Sequence, residues 1–212
     1  ITFPSFTLFI GSTAERTTRF RYFCDMEQVY AFYEERIALH RAHLDALKRR
    51  MHQIGTLRLL LVIGALILLW LLRAGSSTLL GMTFIAFALP FSLLMIWHNR
   101  LDARKTYEET LVELNQNELK GLDYDFSAFD GAPEKADSQH AFSLDLDLFG
   151  EPSLFQSINR TVTTFGKERL AHWFLQPLDQ KKAIEQRQAA IQELARLTEF
   201  RQQFYVVGRT HL

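Results

Sequence analysis

Cysteine occurs once in the 212 residues, as Cys24, which excludes an internal disulfide framework and suits a reducing compartment. Cys24 itself reads as an incidental small side chain. No charge of one sign prevails, because 24 basic residues face 24 acidic ones, and no global field draws the chain to nucleic acid. Charge is missing altogether from Leu59–Leu72 and from Thr78–Trp97. Neither stretch keeps the polar face that a helix of a water-soluble core carries. A secretory signal is also missing: the apolar opening ITFPSFTLFIG is too short to span a bilayer, and Arg16, Arg19 and Arg21 follow it instead of preceding it.

What is present is organised around two apolar blocks, Leu57–Leu72 and Thr78–Trp97, joined by the polar break RAGSS. Their purity predicts a transmembrane helical hairpin in a lipid bilayer. The uncharged core of the first block is 14 residues, short of the ~17–25 usual for a span. Arg58 and Arg73 lengthen it, since an arginine stem lies along hydrocarbon while its head reaches the headgroups. Trp70 and Trp97 sit near block ends, where interfacial rings belong. Gly64, Ala65, Gly81, Ala86 and Ala88 allow close backbone approach. Lys48, Arg49, Arg50, Arg58, Arg100, Arg104 and Lys105 flank the blocks, against Arg73 alone in the turn. Both long flanks are therefore expected in the cytoplasm.

Residues 1–24 read as an extended or interfacial segment of unknown role. From Asp25, Met26, Tyr30, Tyr33, Ile37, His40, Leu44, Leu47, Met51 and Ile54 recur at spacings of four and three, a coiled-coil-like seam that runs into the first block without a breaker. After the second block Leu101, Tyr107, Leu111, Leu114, Leu119 and Leu122 continue a weaker stripe. A turn in the membrane makes the two arms antiparallel, so each seam finds its partner in the other, and residues 25–122 form one stalk. Residues 123–141, rich in Gly, Asp, Ser and Pro, read as a linker. Phe142, Leu144, Leu146 and Leu148 alternate with polar residues and predict one short β-strand. Ser153 caps a helix over Leu154–Asn159, Thr163 or Thr164 precedes a second with Leu170, Trp173 and Phe174 on one face, and Pro177 stops it. Asp179 caps a third, with Ile184, Ile191, Leu194 and Leu197 in a stripe, and a last segment begins near Glu199. The fold class expected is mainly α. The chain begins at Ile1 rather than Met and runs to Leu212 in helical sequence, as a piece of a longer protein would.

Little here carries chemistry. His40 and His43, three apart on a helix, are close enough to share a metal, but no carboxylate or cysteine is spaced along the chain to complete a site. Asp123, Asp125, Ser127 and Glu134 fall at calcium-loop positions, yet Ala128 stands where glycine makes the sharp turn and Pro133 interrupts the exit. Asp145 and Asp147 share a strand face and read as solvated carboxylates. Gly166-Lys167 resembles the end of a phosphate loop without its upstream glycine, and is followed by Glu168. No nucleophile has a general base beside it, so no catalytic residue, metal or cofactor is assigned to this chain. Arg160, Lys167 and Arg169 near Trp173 are the residues that could meet a phosphate backbone, and the neighbouring acids weaken that reading.

Ser153-Leu154-Phe155, then Asn159-Arg160-Thr161-Val162-Thr163, Gly166, Leu170, Trp173 and Pro177-Leu178, with Ile184, Arg187 and Leu194 downstream, form an ordered run. It resembles the start of the core, or lever, domain of MutS-type DNA mismatch-repair ATPases, over residues 142–212. The resemblance implies an all-α domain that relays motion between DNA-embracing levers and a dimerising ATPase domain. It implies ATP and Mg²⁺ bound in a parent chain beyond Leu212, a homodimer through that domain, and structural roles for the residues named. Two departures stand out. Asn159 occupies the family's usual aspartate position, and a membrane hairpin replaces the mismatch-reading and connector domains. Phe32-Tyr33-Glu34 copies the family's Phe-x-Glu DNA wedge but lies inside the helical seam. The function expected is the membrane-anchoring and lever portion of a MutS-related ATPase. The alternatives are a tethered DNA-binding mismatch-repair module and a structural membrane protein without nucleotide function.

Overall fold

Two long helices dominate the computed structural model, which describes residues 13–73, 76–137, 140 and 142–210, with side chains from residue 26 onward. α1 spans Thr13–Leu71 and α2 spans Ser77–Leu122, about 88 and 69 Å at 1.5 Å per residue. Residues 1–12 of the N-terminal segment lie outside the described residues. From Thr13 the backbone is already helical, well before the Asp25 at which the seam begins.

α1 and α2 lie antiparallel. Tyr30 donates to Asp123, His40 faces Glu108, and Phe87 lies 3.8 Å from where a Cβ on Gly64 would be, so partners step in opposite directions along the two arms. The seam matches the sequence pattern closely. Met26, Tyr30, Tyr33, Ile37, His40, Leu44, Leu47, Met51 and Ile54 are all buried or half-buried, and nearly every residue between them is exposed. Ile37 and Leu44 pack with Val112 and Leu119. On α2 the expected stripe divides between two faces: Leu119 joins the seam, whereas Leu114 lines a groove toward the C-terminal helix.

Through the apolar blocks the seam continues, and everything outside it is uncovered. Leu59, Leu60, Leu66, Trp70, Met82, Phe84, Leu89, Leu93 and Trp97 are each more than half exposed. Both helices are long and apolar enough to cross a membrane, and none of either apolar window is buried. Arg58 reaches over the Phe91 ring and Arg73 over the Trp70 ring. Pro90 lies within α2, and Ser92 sends its hydroxyl back to the Ala88 carbonyl. Gly81 meets no neighbour within 4 Å, so the close approach rests on Gly64.

Beyond α2 the chain folds into a small helical unit. Residues 138, 139 and 141 of the segment expected to be a linker lie outside the described residues; in the rest of it Asp125 accepts from the Ser127 amide and hydroxyl, Phe129 and Ala132 are buried, and Pro133–Lys135 makes a 3-10 turn. The strand expected over Phe142–Leu148 does not form, and no strand occurs among the described residues. Instead the segment coils into turns, with the Leu146 amide on the Phe142 carbonyl and the Leu148 amide on that of Ser143. The cause is partnering: a lone strand leaves its backbone groups unmet, and with no second strand beside it the chain meets them locally. Leu144 and Leu146 stay exposed while Leu148 and Phe149 enter the core.

That core joins Ala132, Leu148, Phe149, Phe155 and Ala171, with Leu170 and Phe174 against it. Three helices follow α3 (Leu154–Ile158): α4 (Thr164–Leu175), α5 (Lys181–Arg196) and α6 (Thr198–Thr210). Ser153 caps α3 through its hydroxyl as its sequence position predicts, and of Thr163 and Thr164 it is Thr163 that caps α4. Gln180, not Asp179, holds the cap position of α5, and its side chain makes no capping bond. Trp173 departs from the face of Leu170 and Phe174. It is partly exposed and receives the Arg187 guanidinium 4.2 Å over its ring, which ties α4 to α5.

Candidate functional site

The distinctive place in this architecture is the joint where α6 and the Asn159–Thr163 turn meet the hairpin. Asn115 is fully buried on α2. Its amide nitrogen donates to the Leu111 carbonyl at 2.7 Å, and its Oδ1 accepts from Gln202 Nε2 of α6 at 2.8 Å. Gln202 Oε1 in turn accepts from Arg36 Nε of α1 at 2.9 Å. One chain of hydrogen bonds thus crosses all three helices. Arg36 also pairs with Glu199, whose carboxyl that hydrogen bond holds below the ordinary glutamate range. Tyr33 lines the same groove, and burial, with Glu118 nearby, pushes its hydroxyl above the usual tyrosine value.

The turn supplies a second tie. Arg160 grips Glu118 of α2 with both ends of its fork, Nε to Oε1 at 2.7 Å and Nη2 to Oε2 at 3.2 Å. It also donates to the Ser157 and Asn159 carbonyls and lies 3.4 Å over the Phe129 ring. A bidentate, half-buried arginine pair of this kind fixes orientation as well as distance. Asn159 organises the turn itself. Its Oδ1 accepts from the amide and hydroxyl of Thr161, and its Nδ2 donates to the Asp130 carbonyl at 2.9 Å. An aspartate could make the first two bonds but not the third. The side chain of Val162 then fills the space a Cβ on Gly208 would need, which seats α6 against the turn.

The three residues singled out for phosphate contact are dispersed in role. Arg160 is spent on Glu118 and carbonyls. Lys167 bridges Asp130 and Glu134, raising its own pKa and lowering both of theirs through the hydrogen bonds it donates. Arg169 is exposed. Among the remaining motif residues, Ser153 caps, Leu154 faces outward, Phe155 is fully buried, the Gly166 amide meets Thr163, and Pro177 and Leu178 follow the end of α4. Asp123, Asp125 and Glu134 do not converge as cation ligands, each having its own partner in Tyr30, Ser127 and Lys167. Asp145 and Asp147 are exposed on turns, and Asp147 has a positive φ of 44°. Phe32, Tyr33 and Glu34 sit in mid-helix, with Arg36 over the Phe32 ring.

Sequence reasoning missed Asn115, Gln202, Arg36 and Glu118 as site residues. One signal was present, a polar Asn115 beside Leu111, Val112 and Leu114, but its partner is 87 residues away.

Residues 137–207 match the family model of MutS domain III. This third of the chain is similar to a MutS-family domain III, and it contains α3 to α5 and most of α6. No curated protein and no solved structure matches the chain.

Proposed function

We propose that this chain is the membrane-anchoring and lever portion of a MutS-related ATPase. The hairpin blocks 57–72 and 78–97 hold it in a bacterial inner membrane with both long flanks cytoplasmic. The antiparallel arms form a coiled-coil-like stalk, and the domain III region relays ATP-driven motion from an ATPase domain that binds ATP and Mg²⁺ outside this chain and dimerises. The observation that carries the anchoring reading is the belt of leucine, phenylalanine and tryptophan side chains turned outward around the apolar blocks. A surface of that extent is stable in hydrocarbon and costly in water. The lever reading is supported by the joint, where α6 is tied to both arms at Arg36 and Asn115 and the Asn159–Thr163 turn is tied to Glu118 through Arg160, so displacement of the domain III helices transmits to the stalk.

Membrane fractionation tests the anchor: the chain is expected in the membrane pellet, released by detergent and retained at high salt. Recovery in the soluble phase without detergent ends the reading. Direct DNA binding through Arg160, Lys167 and Arg169 is the rival, and the internal pairing of the first two counts against it. It requires affinity for duplex DNA that falls steeply with salt, and a purified chain that binds in this way would favour the tethered repair module.

A further inference from the structure

We propose that His40, His43 and Glu108 form a binding site for a divalent transition-metal ion of the zinc class, clamping the two arms of the hairpin together beside the α6 joint. The two histidines lie one helical turn apart on α1, so both imidazoles project to the same side. The antiparallel register sets Glu108 of α2 opposite them. Each carboxylate oxygen has its own imidazole: His40 Nδ1 lies 2.7 Å from Oε2 and His43 Nδ1 lies 3.5 Å from Oε1. One ligand atom from each of the three residues falls within 4.8 Å of the others.

Two imidazoles and a carboxylate are the donor set of borderline-soft ions, whereas magnesium and calcium favour all-oxygen shells. Bonds of about 2.0–2.1 Å in a tetrahedron put ligand atoms roughly 3.4 Å apart. The His43–Glu108 spacing already fits. His40 is hydrogen-bonded to the other oxygen, Oε2, so a three-donor site forms when that hydrogen bond gives way to the ion and one Glu108 oxygen turns to serve both imidazoles. The fourth position is left for water.

Residue choice and access point the same way. His40 stands in the seam between Ile37 and Leu44, is 8% exposed, and its Nε2 has no partner among the described residues. An aliphatic side chain would serve the seam better than an imidazole anchored to one carboxylate. The His43 side chain is 53% exposed and gives an ion a route from solvent. Arg36, which holds Glu199 and Gln202, is one turn before His40. Loading the site therefore stiffens the hairpin at the level where α6 docks. The inference needs only the hairpin and stands apart from the proposed lever role.

The test uses the full chain in detergent, free of any polyhistidine tag and stripped with chelator, titrated with Zn²⁺ alone and with Co²⁺ alone. One equivalent per chain is expected, with the visible bands of four-coordinate Co²⁺ and a higher melting temperature on loading. Glu108→Gln and His43→Ala, the latter at an exposed position that tolerates truncation, are each expected to weaken binding by roughly tenfold or more. A His52→Ala/His98→Ala double variant is expected to bind as the unaltered chain does. Absence of saturable binding, unchanged binding in His43→Ala, or loss of binding in the double variant would overturn the site.

Discussion

Gln202 Nε2 donates to Asn115 Oδ1 at 2.8 Å, while the other end of the same Gln202 amide accepts from Arg36. A buried amide between two polar partners fixes α6 in one register, because any slip leaves three groups unmet. Replacing Asn115 by leucine strips the partner from Gln202 and is expected to cost about 1–3 kcal/mol. Hydrogen exchange localises the effect: amides of α6 and of the stalk near Asn115 lose protection, while those of α4 keep it. Pairing Asn115→Leu with Gln202→Met in a double-mutant cycle should return part of the loss, since the unmet Gln202 Nε2 is then gone, and only part, because Arg36 Nε loses its Gln202 acceptor.

Asn159→Asp tests the turn. The carboxylate keeps its bonds from Thr161 but sets an oxygen against the Asp130 carbonyl where the Asn159 amide now donates. With the residue 4% exposed, the substitution is expected to destabilise by about 1–3 kcal/mol, read by denaturant unfolding. Asn159→Ser, smaller and uncharged, should cost less.

Two glycines are expected to refuse a methyl group. A Cβ on Gly131 would lie 2.0 Å from the Gly150 carbonyl oxygen, a backbone atom, and one on Gly208 would lie 2.3 Å from Val162 Cγ2. Gly131→Ala should lower the melting temperature in every background. Gly208→Ala should be relieved by Val162→Ala, because its obstacle is a side chain. Failure of that rescue would show that α6 is not seated on Val162.

The Lys167 bridge gives stability a pH window. Asp130 and Glu134 have folded pKa values below their unfolded ones, so their contribution is present above the ordinary carboxylate range of about 4 and is lost as pH falls through the lowered values. Lys167 is raised, so its contribution is present below the ordinary lysine value near 10.4 and is lost as pH rises through the raised one. Melting temperature against pH should show a plateau between these limits, flatter at both edges in Lys167→Met. Both acids are about half exposed, so added salt should narrow the difference.

Much of this molecule was legible as periodicity. The burial of every fourth or third residue from Met26 to Ile54, two long apolar helices, the hydroxyl cap at Ser153 and the stop before Pro177 all follow from local spacing and residue type, and the structure has each of them. The run from Ser153 to Leu178 also carried the MutS likeness, which the domain III match over residues 137–207 supports. The strand over Phe142–Leu148 was misread because alternation describes one face and says nothing of a partner strand. The Gly- and Asp-rich linker hid its order for a similar reason: Phe129 and Ala132 are buried only once α3 arrives, and Gln156 then donates to the Phe129 carbonyl.

Local chemistry in the chain determined where helices start and stop and which faces are apolar, since those depend on neighbours three or four residues away. Only the tertiary structure decided that Arg36, Asn115 and Gln202 form one line, that Arg160 is spent on Glu118, and that Glu108 faces the His40 and His43 pair. Each of those contacts joins residues from separate helices. Whether two such side chains meet is set by the register of an antiparallel hairpin and the angle at which α6 docks on it, and neither quantity has a signature along the chain.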